Sequence, residues 1–81
     1  MKYKINPKFE ELIEQNRTCL TWFARDSGVP LGTLRAALRP EQHRGRKGFV
    51  RGVTAHKIAD AYAQLAGISK DDAWKEIFGQ D

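Results

Sequence analysis

The chain has 81 residues and a formal net charge of +4, with 41% apolar and 30% charged residues. That length allows one compact domain with a modest core, and the balance of residue types excludes the disordered, fibrous and membrane-embedded classes. No apolar run approaches a bilayer span, and the first residues lack the apolar segment of a signal peptide. We therefore expect a cytoplasmic protein, and one cysteine, Cys19, fits a reducing compartment.

Three short helices are predicted in the first half of the chain. A helix over 7–15 follows the cap residue Asn6, and a second over 19–26 follows Thr18, which is another residue type that caps helices. A third helix, over 30–38, begins at a proline and is closed by the next proline. Apolar residues recur at helical spacing throughout, and no sustained alternation of the strand type is present. This pattern predicts an all-α fold.

A basic, glycine-containing loop is predicted over 39–53, between the third and fourth helices. The segment 35–51 contains six of the 14 basic residues and one acidic residue, Glu41. The six are Arg35, Arg39, Arg44, Arg46, Lys47 and Arg51. Because the rest of the chain is close to neutral, this block of charge favours a polyanionic partner. The alternative is a loop that is merely kept soluble by its arginines.

Two further helices complete the predicted bundle. Thr54 is the expected cap of a helix over 54–66 that ends at Gly67. Ser69 begins a capping arrangement with the helix over 70–78. The five helices are expected to share one core that includes Leu20, Phe23, Leu34, Ile58, Leu65 and Ile77.

The stretch LTWFARDSGVPLGTLRAALR, residues 20–39, resembles the helix-turn-helix motif of the Cro/cI-type (XRE-like) family of phage and bacterial repressors. Ala24, Gly28, Val29 and Leu34 occupy the small, turn and apolar positions of that motif. IADAYAQLAGISKDDAWKEIF is similar to the fourth and fifth helices of the same family, so the resemblance covers most of the chain. It implies a single lambda-repressor-like DNA-binding domain over 1–81, a compact bundle of five short helices with a central helix-turn-helix.

The resemblance also implies a function, sequence-specific binding of double-stranded DNA by a transcriptional regulator that acts as a homodimer, as a repressor or Cro-like protein. The motif's second helix would present Leu31, Gly32, Thr33, Arg35, Ala36 and Arg39 to the major groove. Among these Arg35 is the expected base reader, since guanidinium can donate two hydrogen bonds to guanine. The loop residues Arg44, Arg46, Lys47 and Arg51 would follow phosphates or enter the minor groove.

Other functions are weighed against this one. The low polarity of 30–32 favours an adaptor, such as an antitoxin or a phage factor that binds a host protein, whereas the arginine block argues against it. A single-strand binder would need exposed aromatic residues between its cations. No catalytic set, cofactor motif or metal-ligand spacing is found, since His43 and His56 are far apart, so we expect neither an enzyme nor a small-molecule substrate.

Structural roles are expected for the cysteine, the two tryptophans and the last helix. Cys19 is expected in packing, and Trp22 and Trp74 in the core or a dimer contact. The last helix supplies the expected dimer surface, although the same residues could belong wholly to the core: Trp74, Ile77 and Phe78.

Overall fold

The computed structural model describes residues 2–38 and 48–79, which form five helices and two short strands. In chain order these are β1 (Lys2–Lys4), α1 (Phe9–Gln15), α2 (Leu20–Ser27), α3 (Leu31–Leu38), β2 (Phe49–Arg51), α4 (Gly52–Ala66) and α5 (Lys70–Phe78). The five predicted helices are confirmed, and their ends differ from the predicted ones by no more than two residues.

The two strands correct the prediction of an all-α fold. β1 and β2 pair antiparallel, with Lys2 opposite Arg51, Tyr3 opposite Val50 and Lys4 opposite Phe49. A three-residue strand contains too little alternation to be detected by periodicity, and its partner lies far along the chain. β2 and the start of α4 also occupy the end of the predicted loop 39–53, so that part of the loop prediction is wrong. The fold is therefore mostly helical, with a small two-stranded ribbon.

One cluster of buried apolar side chains joins the described elements, and α4 lies at its centre, in contact with α2, α5 and both strands. The Phe9 ring of α1 packs against Phe23 of α2 at a centroid distance of 5.1 Å and against Tyr62 of α4 at 5.9 Å. The buried cluster contains five of the six residues that were predicted to share one core, which confirms the prediction for these five: Leu20, Phe23, Leu34, Ile58 and Ile77.

Leu65 is the exception, because 37% of its surface is exposed. α4 instead turns Tyr62 and Ala63 toward the core in its last turns. Beyond the helix, the Ile68 N–H donates to the Ala63 carbonyl, and the Ile68 side chain packs against the core. This helix-ending bond returns the chain toward the core, where Ile68 packs and Leu65 does not.

The predicted helix ends and helix caps are partly confirmed. Gly28 and Gly67 end α2 and α4 in the left-handed conformation, with φ of 75° and 69°, and Ser69 Oγ accepts the Asp72 N–H at the start of α5. Thr18 and Thr54 are not caps. Cys19 and Arg51 precede α2 and α4 instead, and neither makes a side-chain capping bond.

The segment between β1 and α1 is fixed to the other end of the chain. The Asn6 N–H donates to the Ile77 carbonyl at 2.8 Å, and Asn6 Nδ2 donates to the Glu76 carbonyl at 3.1 Å. Asn6 Oδ1 also accepts the Lys8 N–H, as expected of a residue that caps a helix start, although α1 begins only at Phe9. The last turn of α5 therefore holds the N-terminal segment against the core.

Candidate functional site

The turn between α2 and α3 places two short helices in direct contact. Gly28 has the positive φ that the turn requires. Ser27 Oγ makes hydrogen bonds on both sides of the turn, because it donates to the Ala24 carbonyl and accepts from the Val29 N–H. Ala24 and Val29 are buried at the helix junction, and Leu34 of α3 is fully buried. One face of α3 is therefore fixed in the core while the opposite face reaches solvent.

The solvent face of α3 contains part of the predicted site. Gly32 and Arg35, which are one turn apart, are exposed, and Thr33 is half-buried. Leu31 is also half-buried, but it packs against the core and offers only part of its side chain to solvent. Arg35 is thus the exposed cation on this helix, with a small residue one turn before it.

Ala36 is a correction, because only 6% of its surface is exposed. The C-terminal turn of α3 is enclosed on more than its core-facing side. Gly48 lies so close that a β-carbon built on it would be 3.4 Å from the Ala37 carbonyl oxygen. Ala36 therefore does not belong to the exposed face of α3.

Most of the predicted basic loop lies outside the described residues. This applies to Arg39, Arg44, Arg46 and Lys47, and also to His43. Arg51 is described, and it is the last residue of β2, exposed and opposite Lys2. The ribbon therefore brings Arg51 together with cations from the far end of the chain.

Sequence reasoning missed the exposed face of the ribbon. Tyr3 and Val50 form its inner face, where Val50 is buried and the Tyr3 ring contacts α5. The residues on either side of these two are exposed and form the outer face: Lys2, Lys4, Phe49 and Arg51. The sequence signal for this face was the polar–apolar–polar pattern of residues 2–4, KYK. That pattern indicates an exposed strand face only when these residues are known to pair with residues 49–51, FVR.

No model of a known protein family, no curated protein and no solved structure matches this chain.

Two residues expected in packing lie at the surface of α2. Trp22 is 64% exposed and lines a shallow groove with Arg25 and Asp26, so it does not belong to the core, and the dimer contact that was the other expectation for it stays a prediction. Cys19 is an exposed free thiol at the helix start, not a buried packing residue. α2 buries the face with Leu20, Phe23 and Ala24, and Trp22 falls on the opposite side.

The side chains of α5 divide between core and surface. Ile77 is fully buried, so this member of the expected dimer surface belongs to the core. Trp74 and Phe78 are half-buried and form an aromatic cluster with Tyr3, with Trp74 at 4.9 Å from the Tyr3 ring and 4.7 Å from the Phe78 ring. His56 of α4 lies on the Trp74 ring at 5.0 Å. The cluster attaches the inner face of β1 to α5.

The described residues contain one strongly shifted acid–base group. Burial in the core, together with the hydrogen bond and negative charge of Glu76, raises the pKa of Tyr62 from 10.0 to about 12, although a hydrogen bond with Asn16 acts in the opposite direction. This hydroxyl joins α4 to α1 and α5, which is a structural role. Within 2–38 and 48–79, no group of three or more residues could hold a metal ion, and no helix could cross a membrane.

Proposed function

We propose that this protein is a sequence-specific double-stranded DNA-binding regulator, a repressor or Cro-like protein whose α2 and α3 act as a helix-turn-helix. The observation that carries the proposal is the two-sided character of α3. Leu34 fixes the helix in the core, while Arg35 is exposed on the other side. A helix held in this way can enter a major groove with its reading side chain free.

Charge supports the same partner. Six of the 14 basic residues fall within the segment 35–51, which begins on α3 with Arg35 and ends on β2 with Arg51. Concentrated positive charge attracts a polyanion from solution and supplies binding energy that does not depend on sequence. An adaptor that binds a neutral protein surface has no comparable need for it.

In the proposed mechanism Arg35 donates two hydrogen bonds to guanine O6 and N7, and Thr33 contacts a base or a phosphate beside it. The absence of a side chain at Gly32 lets the backbone approach the groove closely. A single small domain makes few base contacts, so two copies on a two-fold site are needed for useful specificity. We therefore propose a homodimer, at least on DNA.

The deciding experiment is selection of bound duplexes from a random pool at moderate salt. The proposal expects enrichment of a palindromic site with half-sites about one helical turn apart. A pool without an enriched sequence would contradict it.

The role of Arg35 has its own test on the selected duplex. Arg35→Ala should weaken cognate binding by about 1–3 kcal/mol and relax the preference at one base pair. Arg25→Ala is the matched control, because Arg25 is an exposed arginine on the neighbouring helix α2. An unchanged base preference in Arg35→Ala would remove this residue as the reader.

A second function is favoured by a different observation, the 64% exposure of Trp22 on α2. Tryptophan at the centre of a protein interface is a frequent source of binding energy. In this alternative the chain is an adaptor, antitoxin-like or a phage factor that binds a host protein, and the solvent face of α3 does not read DNA. A selection experiment without enrichment would favour it over the regulator.

A further inference from the structure

The outer face of the ribbon combines three cations with one aromatic side chain. Lys2 lies opposite Arg51, and Lys4 lies opposite Phe49, whose surface is 40% exposed. Neighbours along one face of a strand are about 7 Å apart, and residues directly opposite each other are about 5 Å apart. Three positive charges therefore lie within a patch of about 7 Å by 5 Å. The described residues supply no ion-pair partner for any of them.

This arrangement is unfavourable for the isolated protein. Like charges directly opposite each other destabilise a strand pair, and here Lys2 faces Arg51 in a ribbon of only three residues per strand. The acidic residues of α5 cannot relieve the repulsion, because α5 contacts the inner face of β1 through Trp74 and Phe78. A polyanion on the outer face would remove the repulsion that the fold leaves in place.

The spacing of the patch suits a nucleic-acid backbone. Duplex DNA presents one phosphate per strand for about every 3.4 Å along its axis, so a 7 Å patch spans about two phosphate steps. The ribbon is also close to α3, since Gly48 directly before β2 lies against the Ala37 carbonyl. The molecule measures 34 × 24 × 20 Å, so its longest dimension matches one turn of duplex, about 34 Å.

We propose that the outer face of the ribbon is a second DNA contact surface, on which Lys2, Lys4 and Arg51 bind phosphates of a duplex. The proposal rests on the proposed function for its partner, but it concerns affinity and not base recognition. The ribbon binds cognate and random duplex alike, while α3 distinguishes between them. Phe49 lies beside the bound backbone and adds apolar contact area.

The test measures affinity for a random-sequence duplex across several salt concentrations. Each phosphate contact adds about 0.9 to the slope of log affinity against log salt, so a Lys2→Ala, Lys4→Ala double variant should flatten the slope by about 1.8. Adding Arg51→Ala should bring the change to about 2.7. The matched control is a Lys70→Ala, Lys75→Ala double variant, which removes the same charge from exposed positions of α5 and should leave the slope nearly unchanged.

A charge reversal separates binding from folding. Lys2→Glu places an acid opposite Arg51, so the strand pair gains an attraction in place of a repulsion. We expect the unfolding temperature to rise by about 2–6 °C while affinity for random duplex falls at least about tenfold at 0.1 M salt. A loss of binding caused by misfolding would instead lower both quantities.

The outcomes distinguish the ribbon from the reading helix. An unchanged salt slope in the ribbon variants, with an enriched site still found in the pool, would overturn the ribbon proposal and leave the proposed function standing. A flattened slope with no enriched site would support the ribbon and contradict the sequence-specific regulator. Tighter binding to a single-stranded oligonucleotide than to the duplex, lost in Phe49→Ala, would overturn the duplex as the partner.

Discussion

Replacing Gly28 by alanine tests the turn on which the α2–α3 arrangement depends. A β-carbon at this position would meet no atom within 4 Å, so the change creates no clash and acts through the backbone alone. With φ at 75°, a residue that has a side chain is held in the left-handed conformation. That conformation costs about 1–2 kcal/mol, and the lower entropy of the unfolded chain offsets about 0.4–1 kcal/mol of it. The free energy of unfolding should therefore fall by about 1 kcal/mol.

Gly32→Ala is the matched control for this prediction. A β-carbon at Gly32 also meets nothing within 4 Å, but Gly32 lies inside α3, where alanine is the better helix former. The same chemical change should here raise the free energy of unfolding by up to about 1 kcal/mol. Thermal unfolding followed by circular dichroism should place the two variants on opposite sides of the wild type, about 6 °C or more apart. If Gly28→Ala were as stable as Gly32→Ala, the result would contradict the left-handed conformation of Gly28 in the turn between α2 and α3.

Two further predictions concern the core. Phe9→Ala removes a fully buried ring that packs on both Phe23 and Tyr62, and it should cost about 3–5 kcal/mol out of a total near 4–12 kcal/mol for a chain of this length. Urea unfolding would measure this loss, and equal losses in Phe9→Ala and in the half-exposed control Phe49→Ala would contradict the described core. Because the pKa of Tyr62 is raised to about 12, the stabilisation it gives is complete below pH 10 and is lost as pH rises through 12. Tyr62→Phe should therefore lose less stability than the wild type between about pH 9.5 and 11.5, and parallel curves for the two proteins would show that Tyr62 does not titrate in this way.

The helices were predictable because their signals are local. Gly28, Gly67 and the pair Ser69 and Asp72 act within a few residues of their own positions, and each does in the structure what its type and spacing indicate. Helical periodicity predicted correctly that Leu20, Phe23, Leu34, Ile58 and Ile77 are buried. Leu65 is the exception, since α4 buries Tyr62 and Ala63 in its last turns and Ile68 packs against the core beyond the helix end.

The ribbon and much of the candidate site depend on contacts between distant residues. KYK and FVR form strands because the fold brings 2–4 and 49–51 together, and neither segment indicates a strand by itself. Lys2 and Lys4 therefore gave no sign that they would join Arg51 on one face. Trp22 does not belong to the core, one of the two places expected for it, because residue type predicts burial only on average and α2 buries Leu20, Phe23 and Ala24 instead.

The hydrogen bonds of Asn6 have a consequence for the order in which the protein forms during synthesis. Asn6 and its partner Glu76 are separated by 70 positions, and Lys2 in β1 pairs with Arg51. At about 5–20 residues per second, a ribosome needs about 4–14 s to pass from one bonding partner to the other. The strand that is made first thus has nothing to pair with until residues 49–51 have been translated, about 2–10 s later, and Asn6 waits longer for Glu76. The three helices that follow β1 can begin to associate during that interval, whereas the basic ribbon is assembled only after β2 has been translated.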